Sequence, residues 1–275
     1  MLEITEEDVF ENFDGHGHIM TNKEYHSLDS IGSTSLRLLE ESSLHLKNKD
    51  LFSIDSKSIN LGTAVHTLTL EPEKFNEEFA IEPKNAPRNT TIGKAKWADF
   101  EENLGDKIPI SSIDFENAQK MALNLRTIMR DYIEKGIVER SFFSTYRGID
   151  MKCRPDLLFD TGNGWIIFDL KTTNDIDRLD KAIECYRYDR SMSWYRRVLT
   201  ANGYNVIGTV LAFVDSVSSS HEVKLRMLQS EDLAIADDEI EDLISKHETF
   251  QKTGKVLGMI KPIEIFKWKK SQIDI

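Results

Sequence analysis

An apolar hairpin that ends in charges constrains this chain more than any other feature. The runs Leu157-Leu158-Phe159 and Trp165-Ile166-Ile167-Phe168 flank Thr161-Gly162-Asn163-Gly164, a tight-turn signal between two strand-like segments. Asp156 and Asp169 close the two runs on the side away from the turn and are equidistant from its centre. In a symmetric register with no bulge they face each other directly, with Cβ atoms roughly 4.5–5.5 Å apart, so one divalent cation could bridge them. Side chains alternate along a strand, which puts Lys171 on the face of Asp169. Two carboxylates and an ammonium group so arranged suit metal-dependent phosphodiester cleavage. Hard oxygen ligands favour Mg²⁺ or Mn²⁺ over zinc, the ion activates water, and Lys171 orients the attack or stabilises developing charge. The backbone carbonyl of Leu170 is a further candidate ligand.

The bare tripeptide of an acid, any residue and lysine says little, because it recurs at Asp55-Ser56-Lys57, Glu82-Pro83-Lys84, Asp150-Met151-Lys152 and Glu222-Val223-Lys224. Context separates them. Only Asp169 follows a buried-type strand, and only it has a Pro155-Asp156 partner one hairpin upstream. The plain alternative is a surface strand carrying an ion pair.

A chain of 275 residues, 40% hydrophobic and 30% charged, can enclose a sizeable core as one large domain. No uninterrupted apolar run approaches the roughly 20 residues that span a bilayer. The start, Met1-Leu2-Glu3-Ile4-Thr5-Glu6-Glu7, lacks the basic and apolar parts of a signal peptide, so a cytoplasmic protein is expected. Cys153 and Cys185 are too few for a disulfide framework or a four-cysteine metal site within one chain and read as packing residues. The formal charge of −12 argues against a generally basic surface, so any DNA contact must be local.

Along the chain, residues 1–32 read as an irregular arm in which His16 and His18 are either metal donors or part of a polar tail. From Ser33, Leu36, Leu38, Leu39, Leu44 and Leu46 predict one helix capped by Ser33 or Ser35. A second helix starts near Asn60 or Gly62, lines up Leu61, Val65, Leu68 and Thr69, and ends before Pro72. Residues 80–112, rich in Pro and Gly, read as a long loop with a short helical piece around Lys96 to Asn103, of the kind that covers sites. Asp114 is read as capping a continuous helix through Phe115, Ala118, Ala122, Leu125, Ile128, Met129, Tyr132 and Ile133, closed by Gly136.

Val138 to Tyr146, Ile149 to Phe159 and Trp165 to Lys171 then form a β-meander. A helix spans about Ile176 to Ala201 and is closed by Gly203. Asn205 to Asp215 reads as a buried strand pairing beside the hairpin after this helical crossover. His221 to Gln229 is an edge strand, and a last helix starts at Ser230 with acids in its first turn. Lys267-Trp268-Lys269-Lys270 is either a small DNA-contacting patch or a solvated tail.

Four separated motifs, in order from about Ser33 to Leu199, resemble the exonuclease VIII (RecE) type of PD-(D/E)XK nuclease. They are Gly62-Thr63-Ala64-Val65-His66-Thr67-Leu68-Thr69-Leu70-Glu71-Pro72-Glu73-Lys74-Phe75, Cys153-Arg154-Pro155-Asp156-Leu157-Leu158, Ile167-Phe168-Asp169-Leu170-Lys171-Thr172-Thr173, and Tyr188-Asp189 with Trp194-Tyr195. The resemblance implies the RecB-like branch of an α/β fold, a mixed central sheet flanked by helices with an N-terminal helical part. In this organisation residues 33–275 are one nuclease domain, with 33–136 helical, 137–229 the catalytic sheet and 230–275 a C-terminal helix and tail. His66, Asp156, Asp169 and the Leu170 carbonyl are implied metal ligands and Lys171 the catalytic lysine. Glu139 matches the acid that begins the first strand, either a member of the catalytic set or an ordinary strand-edge glutamate. Arg154, Thr172, Tyr188, Ser191, Tyr195, Arg196 and Arg197 are candidates for DNA contact. Ser191 stands where the family's Tyr-x-x-Gln-x-x-x-Tyr spacing has glutamine, and serine makes fewer hydrogen bonds.

By the same resemblance the activity is Mg²⁺-dependent exonucleolytic digestion of linear double-stranded DNA in the 5′→3′ direction for recombination, in a phage or prophage setting. The implied partners are other copies of the chain in a ring and a single-strand annealing protein. An endonuclease or single-strand nuclease shares the same core, and an acidic DNA-mimicking or inhibitory binding protein is the rival from another class. A small-molecule enzyme lacks support, since no phosphate-cradling glycine loop or nucleophile elbow is present.

Overall fold

The expected hairpin forms the spine of the structure, a computed structural model describing residues 16–49 and 57–256. Within it β6 (Leu157–Asp160) pairs antiparallel with β7 (Trp165–Thr173), Leu157 opposite Phe168 and Leu158 opposite Ile167 with no bulge between them. Gly162, at φ +80°, takes the left-handed conformation that closes the turn. On its other edge β7 runs parallel to β8 (Val206–Asp215), which pairs antiparallel with the edge strand β9 (Val223–Met227). The short β3 (Ile137–Val138) completes a five-stranded mixed sheet in the order β3-β6-β7-β8-β9.

Alternation along these strands builds two cores. Leu158, Ile167, Leu211 and Phe213 face one way, onto Leu36, Leu39, Trp194, Val198 and Ile240. Leu157, Phe168, Leu170, Val210 and Ala212 face the other way, onto Val65, Ala118, Met121 and Leu125. The fold is therefore α/β, a mixed sheet with helices on both faces, as expected. No helix of the described residues is long and apolar enough to cross a membrane.

Several expected elements are split, each for a local reason. The first two strands of the meander each break in two. β3 and β4 (Phe142–Tyr146) are separated by residues 139–141, and β5 (Ile149–Cys153) and β6 by residues 154–156. Glu139 sits at φ +50° and Pro155 has no N–H for a ladder. β4 and β5 consequently turn away as a separate two-stranded sheet.

The helix after Ser33 is two helices, Ser35–Glu41 (α2) and Ser43–Lys47 (α3). Ser42 is the capping residue between them, its hydroxyl accepting from His45 N at 3.2 Å. In the first, Thr34 makes no side-chain cap. The helix bearing His66 runs Lys57–Leu70 (α4), starting earlier than expected. The long helix is Ser112–Ile128 (α7), capped by Ser111 rather than Asp114, and it breaks at Met129 before Arg130–Lys135 (α8).

The segment over 80–112, read as a long loop with a short helical piece around Lys96 to Asn103, has that helix in longer form and two strands besides. Phe79–Ile81 (β1) and Ile108–Ile110 (β2) pair in parallel, joined by the helix Thr91–Asn103 (α6), whose N-cap is Thr90. The short helix α5 (Phe75–Glu78) precedes β1. The expected Ile176–Ala201 helix is also two, Leu179–Tyr186 (α9) and Tyr188–Ala201 (α10), broken at Arg187 in the left-handed conformation. The last helix, Ser230–Thr253 (α11), starts where expected and stops at Gly254.

Nor is the N-terminal arm irregular throughout. Asn22–Ser27 (α1) is a helix with a capping box from Thr21 and Glu24, and Ile31 bridges Met151 on β5. Cys153 is buried as expected, whereas Cys185 is exposed. The basic run at Lys267–Lys270 lies outside the described residues.

Candidate active site

Register alone brings three acids into line. The β6–β7 pairing, continued by one residue, sets Asp156 opposite Asp169. The β3–β6 pairing, continued likewise, sets Glu139 opposite Asp156, and Glu139 N donates to Asp156 O at 3.2 Å. Pro155 and the kinked Glu139 free the Glu139–Asp156 end of this row from the regular ladder, and these two side chains turn to a common point, while Asp169 stays within the β7–β8 ladder.

α4 reaches the same point from the face above. His66 Nε2 lies 2.8 Å from the carbonyl oxygen of Leu170, and its Nδ1 lies 3.5 Å from Asp156 Oδ2. Asp156 Oδ2 also accepts from Leu170 N at 2.5 Å. Among the described residues, His66, Glu139 and Asp156 offer ligand atoms within 4.8 Å of one another. Asp169 falls outside that group. Its buried carboxylate is ion-paired with Lys171 Nζ through Oδ2, an oxygen that makes no aligned hydrogen bond. Glu139, a candidate catalytic acid by the resemblance but not one of its implied metal ligands, thus stands in the ligand cluster, and Asp169 leans towards the lysine.

The electrostatics fit a cation. Burial, reinforced by Asp156, pushes the Glu139 carboxyl well above the usual carboxylate range. Burial also raises Asp156, with His66 opposing and Asp169 adding to the rise. Lys171 moves the other way: burial alone would lower it, but Asp169 and Asp156 outweigh that and hold it protonated above its ordinary value. Crowded carboxylates beside an imidazole and a carbonyl are a donor set that a divalent ion relieves. The unaligned Asp169 oxygen is a further donor with capacity to spare, so the residues present fit Mg²⁺ or Mn²⁺.

Residues 32–256 match the family described as a PDDEXK-like domain of unknown function (DUF3799). The chain belongs to that family. Among solved structures, this PDDEXK-like chain is similar to the crystal structure of a candidate exonuclease from Eubacterium rectale. The identity is 13% and the TM-score 0.62, over 90% of each chain, a likeness of fold. Weaker likenesses are to SSO0001 (12% identity, TM-score 0.31, 66% of this chain and 84% of that one) and to VC1899 from Vibrio cholerae (14% identity, TM-score 0.21, 80% and 56%). Neither carries an argument. No curated protein matches significantly. Family and fold together support a nuclease.

In this PDDEXK-like frame the expected DNA-contacting residues divide. Tyr188 lies with its ring centroid 5.2 Å from Lys171 Nζ, and Thr172 Oγ1 lies 3.6 Å from where a Cβ on Gly62 of α4 would stand. The Tyr195 hydroxyl receives a hydrogen bond from Ser33 Oγ at 3.4 Å, and burial, then Asp169 and Asp156, raise its pKa. Ser191 is half-buried on α10.

The arginines are committed elsewhere. Arg154 bonds Ser141 Oγ at 2.9 Å and Asn22 Oδ1 at 2.8 Å and stacks over Tyr25, tying α1 to the sheet. Arg196 pairs with Asp237, and Arg197 with Glu241, both on α11. Arg187 pairs with Asp189 and Glu239, and Arg190 with Glu40 at 2.7 Å. Pairing with an interleaved acid is foreseeable for Arg187 and Asp189, two residues apart, but Glu239, Asp237, Glu241 and Glu40 lie forty or more residues from their arginines, beyond the reach of local spacing.

Glu71 escaped notice as a site residue. It ion-pairs with Lys74 at 2.6 Å and acts electrostatically on both Glu139 and Arg154. Its place just after the His66 helix was the available signal.

Proposed function

We propose that this chain is a divalent-metal-dependent deoxyribonuclease that degrades linear double-stranded DNA from its ends, with Mg²⁺ as its ion. One observation carries the reading: Glu139, Asp156 and Asp169 stand in one row across three adjacent strands, with His66 over the row and Lys171 paired to its last member.

His66, Glu139, Asp156 and the Leu170 carbonyl are the residues that would hold the ion, with Asp169 completing the acidic wall. When bound, a divalent cation there supplies charge neutralisation at the phosphate and activation of water. Leu170 N holds the Asp156 carboxylate, and the contact of His66 Nε2 with Leu170 O leaves Nδ1 turned towards that carboxylate. Lys171 keeps its charge under burial because Asp169 and Asp156 hold it. A fixed ammonium beside the reacting phosphate can orient the attacking water and stabilise the extra negative charge of the transition state. Asp169 and the Tyr188 ring fix where that ammonium points.

Attack from ends, 5′→3′ polarity, service in recombination, assembly as a ring and work beside an annealing protein follow from the motif resemblance. The test is a cleavage assay with end-labelled linear and covalently closed circular DNA, with and without Mg²⁺. Loss of label from linear duplex only, abolished by chelation, is expected. Cutting of the closed circle overturns the exonuclease reading. Inertness on every DNA form with Mg²⁺ and Mn²⁺ overturns the hydrolase and favours an acidic binding protein.

A further inference from the structure

Of a pair of stacked tyrosines the inner one stands beside Lys171, and no element of the proposed chemistry uses the outer one. Tyr186 is the last residue of α9 and Tyr188 the first of α10. Residues two apart on a continuous helix do not face each other. Here the chain reverses its twist at Arg187, a non-glycine residue at φ +54°, and the two rings stack with centroids 5.5 Å apart and planes 24° from parallel. Such a conformation persists where the surroundings enforce it. They do so here, since the Arg187 guanidinium is held by Asp189 and by Glu239 of α11.

The inner ring is backed by buried Phe213 at 6.0 Å and lies 5.2 Å from Lys171 Nζ. Tyr186, which carries the outer ring, is 66% exposed. One face of that ring rests on Tyr188, and Tyr186 is among the exposed large side chains of the described residues.

Charge tells what this open ring is for. The chain carries −12, its site is walled by carboxylates, and Arg187, Arg190, Arg196 and Arg197 of the adjoining helix are all paired with acids. Phosphate contacts from that helix are therefore largely spent. A nucleobase can still be held by stacking, which needs no charge and tolerates any sequence. A base inside a duplex has both faces covered. The last base of a blunt end, though open on its outer face, is pinned in its pair and cannot turn to meet the ring, so an unpaired or frayed base is the better ligand.

We propose that Tyr186 and Tyr188 form a stacking platform that captures an unpaired nucleobase at a DNA terminus and thereby seats the adjoining phosphodiester beside Lys171. The proposal rests on the nuclease reading for its substrate class and names the part of that substrate gripped at the site.

The experiment titrates the full chain against DNA duplexes carrying terminal 2-aminopurine, either unpaired at a frayed end or pinned in a blunt, G·C-clamped end. Chelator blocks hydrolysis in one series, and Mg²⁺ is present in a second. The wild type is expected to quench the unpaired base. Tyr186→Ala is expected to lose about tenfold in affinity for the frayed end but under about twofold for the pinned one, while Tyr186→Phe stays near wild type. An unquenched base with the wild type, or a Tyr186→Ala that loses the same factor on both ends or none on either, overturns the platform. Quenching without any cleavage refutes the hydrolase and leaves the platform standing. Cleavage with no quenching refutes the platform alone.

Discussion

Two lysines on neighbouring parts of the fold end the same kind of tripeptide and meet opposite fates. Lys171 of Asp169-Leu170-Lys171 lies against Asp169 and is held protonated by the acids around it. Lys152 of Asp150-Met151-Lys152 is buried too, but Asp150 is turned out to solvent and bonds Thr145 Oγ1 at 2.9 Å. Lys152 Nζ instead donates to two carbonyls, of Tyr25 at 2.6 Å and Leu28 at 2.8 Å, and burial pushes its pKa down to about 8.

The tripeptide therefore says little about function. What distinguishes the two is the next strand. Lys171 faces a row of carboxylates supplied by β6 and the β3 kink, whereas Lys152 faces the carbonyl-lined underside of the N-terminal segment. One lysine is dressed for anionic chemistry and the other ties down a strap.

The sharpest way to break the contrast is Lys171→Ala. In the Mg²⁺-loaded protein it should lose on the order of 10²–10³-fold in cleavage rate or more, read from end-labelled duplex, and a rate within a few-fold of wild type would dissolve the distinction. Asp156→Asn should weaken Mg²⁺ or Mn²⁺ binding in calorimetry by at least about 10–100-fold, and unaltered binding would remove Asp156 from the ligand set.

Lys152→Met, by contrast, should leave the rate per folded molecule unchanged. It should cost about 1–3 kcal/mol in urea denaturation, because two buried carbonyls lose their donor. The pH dependence has a definite sign. Below about pH 8 Lys152 is protonated in folded and unfolded chains alike, and between about 8 and its ordinary 10.5 the unfolded chain holds more protons. The wild type should therefore gain stability relative to Lys152→Met as pH rises through that window. A flat difference would show that Lys152 is not desolvated. The smallest effect is expected at Arg196 and Arg197. Replacing both by Ala should cost under about 1 kcal/mol per ion pair and leave the salt dependence of DNA binding unaltered, since these side chains are engaged with Asp237 and Glu241. A shallower salt slope would return them to the DNA interface.

Local signals were the ones legible in the residues. Alternating apolar runs and a glycine turn marked β6 and β7, and a continuous apolar run marked β8. Breaks inside elements were harder to read, because they depend on single backbone angles. Nothing in the local pattern around Arg187 or Glu139 announces a left-handed residue. Likewise, Pro and Gly over 80–112 suggested a lid, but β1 and β2 can be recognised only once they lie side by side, with Ile81 and Ile110 in register.

What the amino-acid order settled by itself is the opposition of Asp156 and Asp169, because a two-stranded turn sets pairing by counting residues from its centre. Tertiary structure decided which groups join them. His66 arrives on a helix more than a hundred residues upstream of Leu170, Glu139 enters through a kink, and α11 takes up the arginines of α10. Those choices depend on how separate elements pack across the sheet, a long-range matter that no local spacing encodes.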